Sequence, residues 1–164
     1  MDVATAYARC LSDARSHYEN FPVASVLIPK PMRPHVAALY AFARAADDFA
    51  DEGDRSPEER LRLLERWRAR LAQAATETGL GDAPGPGEPP HAQAIFVAVG
   101  ESIRTLGLPL ALFEDLLSAF AQDVRVVRYD TWASLLDYCR RSANPVGRLV
   151  LRIGGYGHGH PPVW

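Results

Sequence analysis

The sequence predicts an all-α protein. Helical periodicity of apolar residues dominates the 164 positions, and no segment alternates apolar and polar residues as a half-buried strand would. Helix start and stop signals separate the periodic segments, among them a capping box at Ser56 and Glu59 and a helix-ending Gly107. With 48% hydrophobic and 23% charged residues, the chain has the composition of a protein that buries a core.

The periodic segments predict six helices, whose bounds follow in chain order. They are 3–18, 33–52, 56–79, 91–106, 109–124 and 130–153, the last one kinked at Asn144 and Pro145. Three prolines in 21–31 predict a connector, and Gly53 ends the second helix. Residues 79–90 are rich in Gly and Pro and predict an exposed, flexible loop. We expect one domain over 1–164, because the segments beside this loop are too short to fold alone.

Charge and composition exclude several classes of protein. The chain has 18 Lys and Arg against 20 Asp and Glu, and this near-neutral balance argues against nucleic-acid binding. No signal-peptide pattern and no apolar run approaching the roughly 18 residues of a membrane span is evident, so we expect a cytoplasmic protein. Cys10 and Cys139 lack metal-ligand spacing and are expected to be buried thiols. Trp67 is expected to be a packing residue, and Trp132, beside a helix cap, is expected to pack as a hydrophobic staple.

The helix predicted at 33–52 has one polar stripe and one apolar sector. Because successive helical residues turn by about 100°, Tyr40, Arg44, Asp47 and Asp51 lie within about 40° of one line, and Arg33 falls on that line two turns earlier. We call the first four residues the polar stripe. The apolar sector comprises Leu39, Phe42, Ala43, Ala46, Phe49 and Ala50.

The cluster of acidic residues at the end of this helix is electrostatically unfavourable. Five acidic residues fall in 47–54, near the helix C-terminus, where the helix dipole disfavours anions and like charges four residues apart repel. A divalent cation would offset this cost, and Mg²⁺ is commonly shared between one or two carboxylates and a substrate phosphate. Asp47 and Asp51 are therefore candidate Mg²⁺ ligands, and Arg44 could contact the same phosphate. On spacing alone, a solvated acidic face without metal is the alternative.

Two blocks of sequence resemble the squalene/phytoene synthase family. Residues 17–52 contain a His-plus-aromatic connector followed by a helix reading LYAFARAADDFADE, and 112–151 contain RYDTWASLLDYCRRSANPVGRLVL. The segments ENFPVAS, AFAQDV and SANPVGRL are similar to the bacterial hydroxysqualene synthases of hopanoid biosynthesis. The resemblance implies an all-helical isoprenoid-synthase bundle with a central cavity.

The resemblance also implies an activity. Members of the family join two prenyl diphosphates head to head through a cyclopropyl diphosphate. The hydroxysqualene type takes that intermediate, presqualene diphosphate, ionises it and quenches the cation with water. A Mg²⁺-dependent enzyme is therefore expected, with a prenyl diphosphate as its substrate. Because such substrates are insoluble in water, we also expect peripheral association with the inner face of the membrane, and contact with other hopanoid-pathway enzymes.

By matching motifs, the resemblance assigns roles to individual residues. Asp47 and Asp51 are the implied Mg²⁺ ligands, and Tyr40 and Arg44 are implied to face the diphosphate. The implied substrate contacts are His17, Asn20, Phe21, Arg33, Tyr138, Ala143, Val146 and Gly147. Asp123, at the end of a helix, is either structural or close to the cavity.

One departure from the family pattern concerns the second metal-binding motif. The family holds its metals between two aspartate-rich helices, and nothing after Asp51 repeats Asp-x-x-x-Asp. We therefore expect the chain to represent the N-terminal part of the fold and to be a poor catalyst alone. The alternatives are a presqualene diphosphate or phytoene synthase, or a non-catalytic helical scaffold of the same fold.

Overall fold

The computed structural model describes residues 1–16, 28–77 and 82–156. These residues form seven α-helices, and no strand occurs among them, which confirms the all-α prediction. The helices are α1 Val3–Ser16, α2 Arg33–Asp51, α3 Pro57–Thr76, α4 Ala92–Leu106, α5 Leu110–Asp123, α6 Trp132–Ser142 and α7 Asn144–Ile153. A 3-10 turn at Lys30–Met32 leads directly into α2.

Local capping interactions determine where several helices begin and end. The Ser56 amide donates to the Glu59 carboxylate (2.8 Å) while the Glu59 amide donates to the Ser56 hydroxyl (3.2 Å), which is the reciprocal capping box that the sequence predicts. Gly107 ends α4 with φ 58°, a left-handed conformation that favours glycine. The Thr131 hydroxyl caps α6 by accepting from the Ser134 amide at 3.1 Å.

The described helices divide into two compact units. The first comprises Met1–Ala45 and Arg70–Gly107, and the second comprises Ala46–Ala69 and the residues from Leu108 onward. Helices α2 and α3 each contribute residues to both units. The expectation of a single domain therefore stays a prediction.

The core of the first unit contains parts of α1 to α4. Phe42 and Phe96 pack edge to face with ring centroids 6.2 Å apart, and the Arg70 guanidinium lies over the Phe96 ring at 4.5 Å. Cys10 is fully buried, as expected, and burial raises the pKa of its thiol to about 12. This thiol is therefore a packing group at neutral pH.

The loop before α4 is tied to the first unit by an ion pair. Residues 82–90 have turns but neither helix nor strand, as a loop does, while the predicted flexibility of 79–90 stays a prediction. The Glu88 side chain is only 1% exposed, however, and pairs with the Arg70 guanidinium. Arg70 also donates to the Asp82 carbonyl, so this loop has an anchored end.

In the second unit α5, α6 and α7 pack against one another. Trp67 is fully buried, as predicted, and its ring packs edge to face on Phe49 at 5.1 Å. The expectations for Trp132 and Cys139 are wrong, because Trp132 is 72% exposed and Cys139 is exposed. Although α6 packs on α5 and α7, it contains no buried residue, and these two side chains lie on its exposed side. No helix of the described ranges is long and apolar enough to cross a membrane.

Candidate functional site

The polar stripe lies along the continuous helix α2. Tyr40, Arg44 and Asp47 are half-buried, and Asp51 at the last turn is exposed. On the other side of α2 the apolar sector is buried, with the single exception of half-buried Ala43. The helix thus fixes the spacing of one phenol, one guanidinium and two carboxylates while its opposite side is held in the core.

A further carboxylate lies near the acidic end of α2. Burial is the main cause that raises the pKa of Asp123, at the end of α5, and the negative charge of Asp51 raises it further. The Asp51 carboxylate has no hydrogen bond or ion pair with any described residue. The second unit therefore contains two carboxylates close enough to repel each other.

Asp123 is held by a tyrosine that the sequence also singles out. The Tyr138 hydroxyl donates to Asp123 Oδ2 at 2.8 Å. Burial, this hydrogen bond and the charge of Asp123 together raise the pKa of Tyr138 to about 12, so the phenol remains a donor at neutral pH. The Tyr129 ring packs on Tyr138 at 5.2 Å, and Gln122 Nε2 donates to the Tyr129 hydroxyl at 3.1 Å. Sequence reasoning gave Tyr138 a substrate contact but missed its pairing with Asp123.

The remaining predicted contacts are distributed along the chain. Arg33 begins α2, and its Nε donates to the Ile28 carbonyl at 2.9 Å, which anchors the chain before the helix. Ala143 and Gly147 are exposed and Val146 is half-buried. The predicted contacts His17, Asn20 and Phe21 lie outside the described residues. Their roles, like those of the polar stripe, stay predictions.

Ala143 and Gly147 belong to a longer exposed apolar face on α6 and α7. Its members recur at helical spacing and are all exposed, namely Trp132, Leu136, Cys139, Ala143, Gly147 and Leu151. The middle of this face consists of small residues, and a Cβ at Gly147 would meet open space. We call it the α6–α7 face, and it has the chemistry of a surface that contacts hydrocarbon or another apolar element.

The acidic end of α2 fits a cation that a phosphate helps to bind. Within 1–16, 28–77 and 82–156, no group of three or more His, Cys, Asp or Glu side chains could enclose a metal ion. Mg²⁺ does not need such a cage, because one or two carboxylates, waters and substrate phosphate oxygens commonly complete its octahedron. Asp51 is open to a ligand, and its repulsion of Asp123 is a cost that a divalent cation would remove. The donor set therefore suits Mg²⁺ bound together with a diphosphate.

Comparison with known proteins identifies the family. A sequence profile of squalene/phytoene synthases matches residues 14–161, which is most of the chain. The chain belongs to the squalene/phytoene synthase family. Within this family it is 42% identical over 149 residues to the hydroxysqualene synthase of Zymomonas mobilis subsp. mobilis, a match that covers 89% of this chain and 45% of that protein.

Other squalene/phytoene synthases show the same partial coverage. The chain is 36% identical to the presqualene diphosphate synthase of Rhodopseudomonas palustris over 83% of its length, which is 44% of that protein. The crystal structure of the squalene synthase HpnC from Alicyclobacillus acidocaldarius superposes with a TM-score of 0.79 at 38% identity, covering 96% of this chain and 54% of that one. The chain thus spans about half the length of the relatives it matches, and it shares their helical fold over that half.

Proposed function

We propose that this chain provides the first diphosphate-binding half of a Mg²⁺-dependent enzyme of the hydroxysqualene synthase type. The proposed substrate is presqualene diphosphate, or farnesyl diphosphate from which it is made, and the proposed product is hydroxysqualene. The observation that carries the proposal is the polar stripe on α2, which combines two carboxylates with a guanidinium and a phenol. The similarity to hydroxysqualene synthases supports this choice of substrate.

The residues of the stripe have complementary tasks in this proposal. Asp47 and Asp51 would hold Mg²⁺, which neutralises charge on the diphosphate as its bond to carbon breaks. Arg44 offers a forked pair of donors to the diphosphate oxygens, and the Tyr40 hydroxyl can donate to another. These groups bind and orient the leaving group, so that ionisation proceeds without a protein nucleophile.

The apolar part of the substrate needs a different surface. The α6–α7 face supplies apolar and small side chains over both helices, and its predicted substrate contacts Ala143 and Gly147 leave room for an extended chain. The Tyr138 hydroxyl is committed to Asp123, so its ring is held in one place beside Tyr129. We assign the hydrocarbon to this face and the diphosphate to the stripe.

A second candidate function is synthesis of presqualene diphosphate itself from two farnesyl diphosphates. The similarity to the Rhodopseudomonas presqualene diphosphate synthase favours it, since that enzyme matches nearly the same part of the chain. Both reactions need a metal-bound diphosphate as leaving group, and they differ in what captures the cation. Product analysis therefore separates them.

The test is a chimera in which this chain replaces the matching segment of the Zymomonas hydroxysqualene synthase. The purified chimera is incubated with Mg²⁺ and either presqualene diphosphate or farnesyl diphosphate, and inorganic diphosphate and organic products are quantified. Hydroxysqualene from presqualene diphosphate is the expected result, and presqualene diphosphate as end product would establish the second candidate. A folded chimera that releases no diphosphate from either substrate would contradict both and favour the non-catalytic scaffold.

A further inference from the structure

The second unit contains a cavity whose lining includes no residue of the polar stripe. It lies between α3 and α5, has a volume of about 380 Å³, and is lined by three arginines, Arg62, Arg68 and Arg125. The rest of its lining is apolar, including Leu64 and Ala121, except for the carboxylate of Glu65. We call it the arginine cavity.

One of the three arginines is neutralised and the other two are not. Arg68 pairs with the carboxylates of Glu65 and Glu114, both at 2.7 Å, so its guanidinium is fixed in the cavity wall. Arg125 makes no side-chain hydrogen bond or ion pair within the described part of the chain. Arg62 also has no ion pair there, although its charge contributes to the lowered pKa of Glu59 one turn away. Two exposed guanidiniums therefore remain available to an anion.

The chain beside the cavity has the character of a membrane-contacting loop. Residues 124–131 connect α5 to α6 and include the cavity residue Arg125. Val127 in this loop is 101% exposed, and Arg128 next to it is exposed as well. An apolar side chain between arginines can enter the headgroup region while the arginines contact lipid phosphates. A small free anion would not account for the exposed Val127.

We propose that the arginine cavity and Val127 bind the phosphate headgroup of an anionic phospholipid at a membrane surface. Arg62 and Arg125 contact the phosphate with forked donors, and Val127 inserts among the headgroups. Arg68, neutralised by Glu65 and Glu114, forms part of the wall without attracting the anion. The proposal concerns residues outside the polar stripe and does not depend on the diphosphate chemistry. Binding to the membrane places the protein beside the lipid phase in which its water-insoluble substrate is dissolved.

The experiment measures sedimentation of the purified chain with vesicles. One set contains phosphatidylcholine alone and the other contains phosphatidylcholine mixed with phosphatidylglycerol. We expect binding to the anionic vesicles only, and a loss of about fivefold in affinity for each of R62Q and R125Q, or about thirtyfold for the double variant. R148Q is the matched control, because Arg148 is exposed on α7, outside the cavity, and its loss changes the net charge equally.

A second variant and a soluble probe separate the sources of phosphate. V127S weakens vesicle binding without changing the thermal midpoint, since Val127 makes no buried contact. Inorganic phosphate that binds to wild type while anionic vesicles do not would overturn the lipid proposal in favour of a soluble anion. Equal losses for R62Q, R125Q and R148Q would overturn it too, because binding would then follow net charge and not the cavity. Absence of any vesicle binding by the folded wild type would end the proposal.

Discussion

The hydroxyl of a single residue, Ser102 on α4, links three helices of the first unit. Ser102 is 1% exposed and donates to the Ala98 carbonyl at 2.9 Å. Tyr7 of α1 and His35 of α2 both lie within hydrogen-bond distance of its oxygen, at 2.9 Å each. The Tyr7 hydroxyl also lies 3.0 Å from His35 Nδ1, so the three side chains form one hydrogen-bonded cluster that joins α1, α2 and α4.

Protonation of His35 should weaken the fold. Burial lowers the pKa of His35 below 6.5, outweighing the opposite effect of Glu101. The unfolded chain therefore takes up this proton at higher pH than the folded one. As the pH falls below about 6.5, the contribution of neutral His35 to the free energy of unfolding is lost. Denaturant unfolding on either side of that pH should show a steeper loss for wild type than for His35→Gln, which cannot titrate. Identical pH dependence in both proteins would contradict the lowered pKa of His35.

The sequence could not reveal contacts that depend on tertiary structure. The polar stripe follows from spacing within one helix, so Tyr40, Arg44, Asp47 and Asp51 could be chosen from the sequence. Asp123 and Tyr138 are 15 positions apart on different helices, and no local pattern predicts their 2.8 Å hydrogen bond. Trp132 was misjudged for a similar reason, since the sequence of α6 does not show which of its sides packs on α5 and α7.

At the scale of elements, the glycine of α4 determines how closely two helices approach. A Cβ on Gly100 would overlap the backbone carbonyl of Ala74 on α3, which cannot move without shifting that helix. Gly147 on α7 is also helical but has open space where a Cβ would stand. The two positions form a natural pair for comparison.

Gly100→Ala should destabilise the protein and Gly147→Ala should not. Overpacking at a helix contact costs about 1–3 kcal/mol, whereas alanine in place of an exposed helical glycine changes the free energy of unfolding by about 1 kcal/mol in the favourable direction. Urea denaturation of both variants and wild type measures the difference. Equal midpoints for the two variants would show that α3 and α4 do not approach as closely as described.

Element boundaries were the most predictable level of the structure. Gly53, Ser56 and Gly107 each carry a local signal, and each ends or begins a helix as expected. The kink predicted at Asn144 is the boundary between α6 and α7. The short turn at Lys30–Met32 was not foreseen, because its prolines indicate only a break in regular structure.

For the molecule as a whole, the exposed α6–α7 face and the partial coverage of the relatives bear on which parts of the family fold catalysis requires. Trp132, Leu136 and Leu151 are each more than half exposed, which is unusual for large apolar residues at regular helical spacing. The relatives extend over about twice the length that the chain matches. We therefore expect catalysis to require both the polar stripe and a second half of the fold, while diphosphate binding needs the stripe alone.

Asp47 and Asp51 are proposed to bind Mg²⁺ together with a diphosphate. Isothermal calorimetry of the purified chain with inorganic diphosphate, in the presence and absence of Mg²⁺, tests it without requiring turnover. We predict Mg²⁺-dependent binding that weakens by at least about tenfold in Asp47→Asn and in Asp51→Asn, because each removes a charged ligand. Asp130→Asn, a change of the same charge at an exposed loop position, should bind like wild type. Undiminished binding by both stripe variants would contradict the claim.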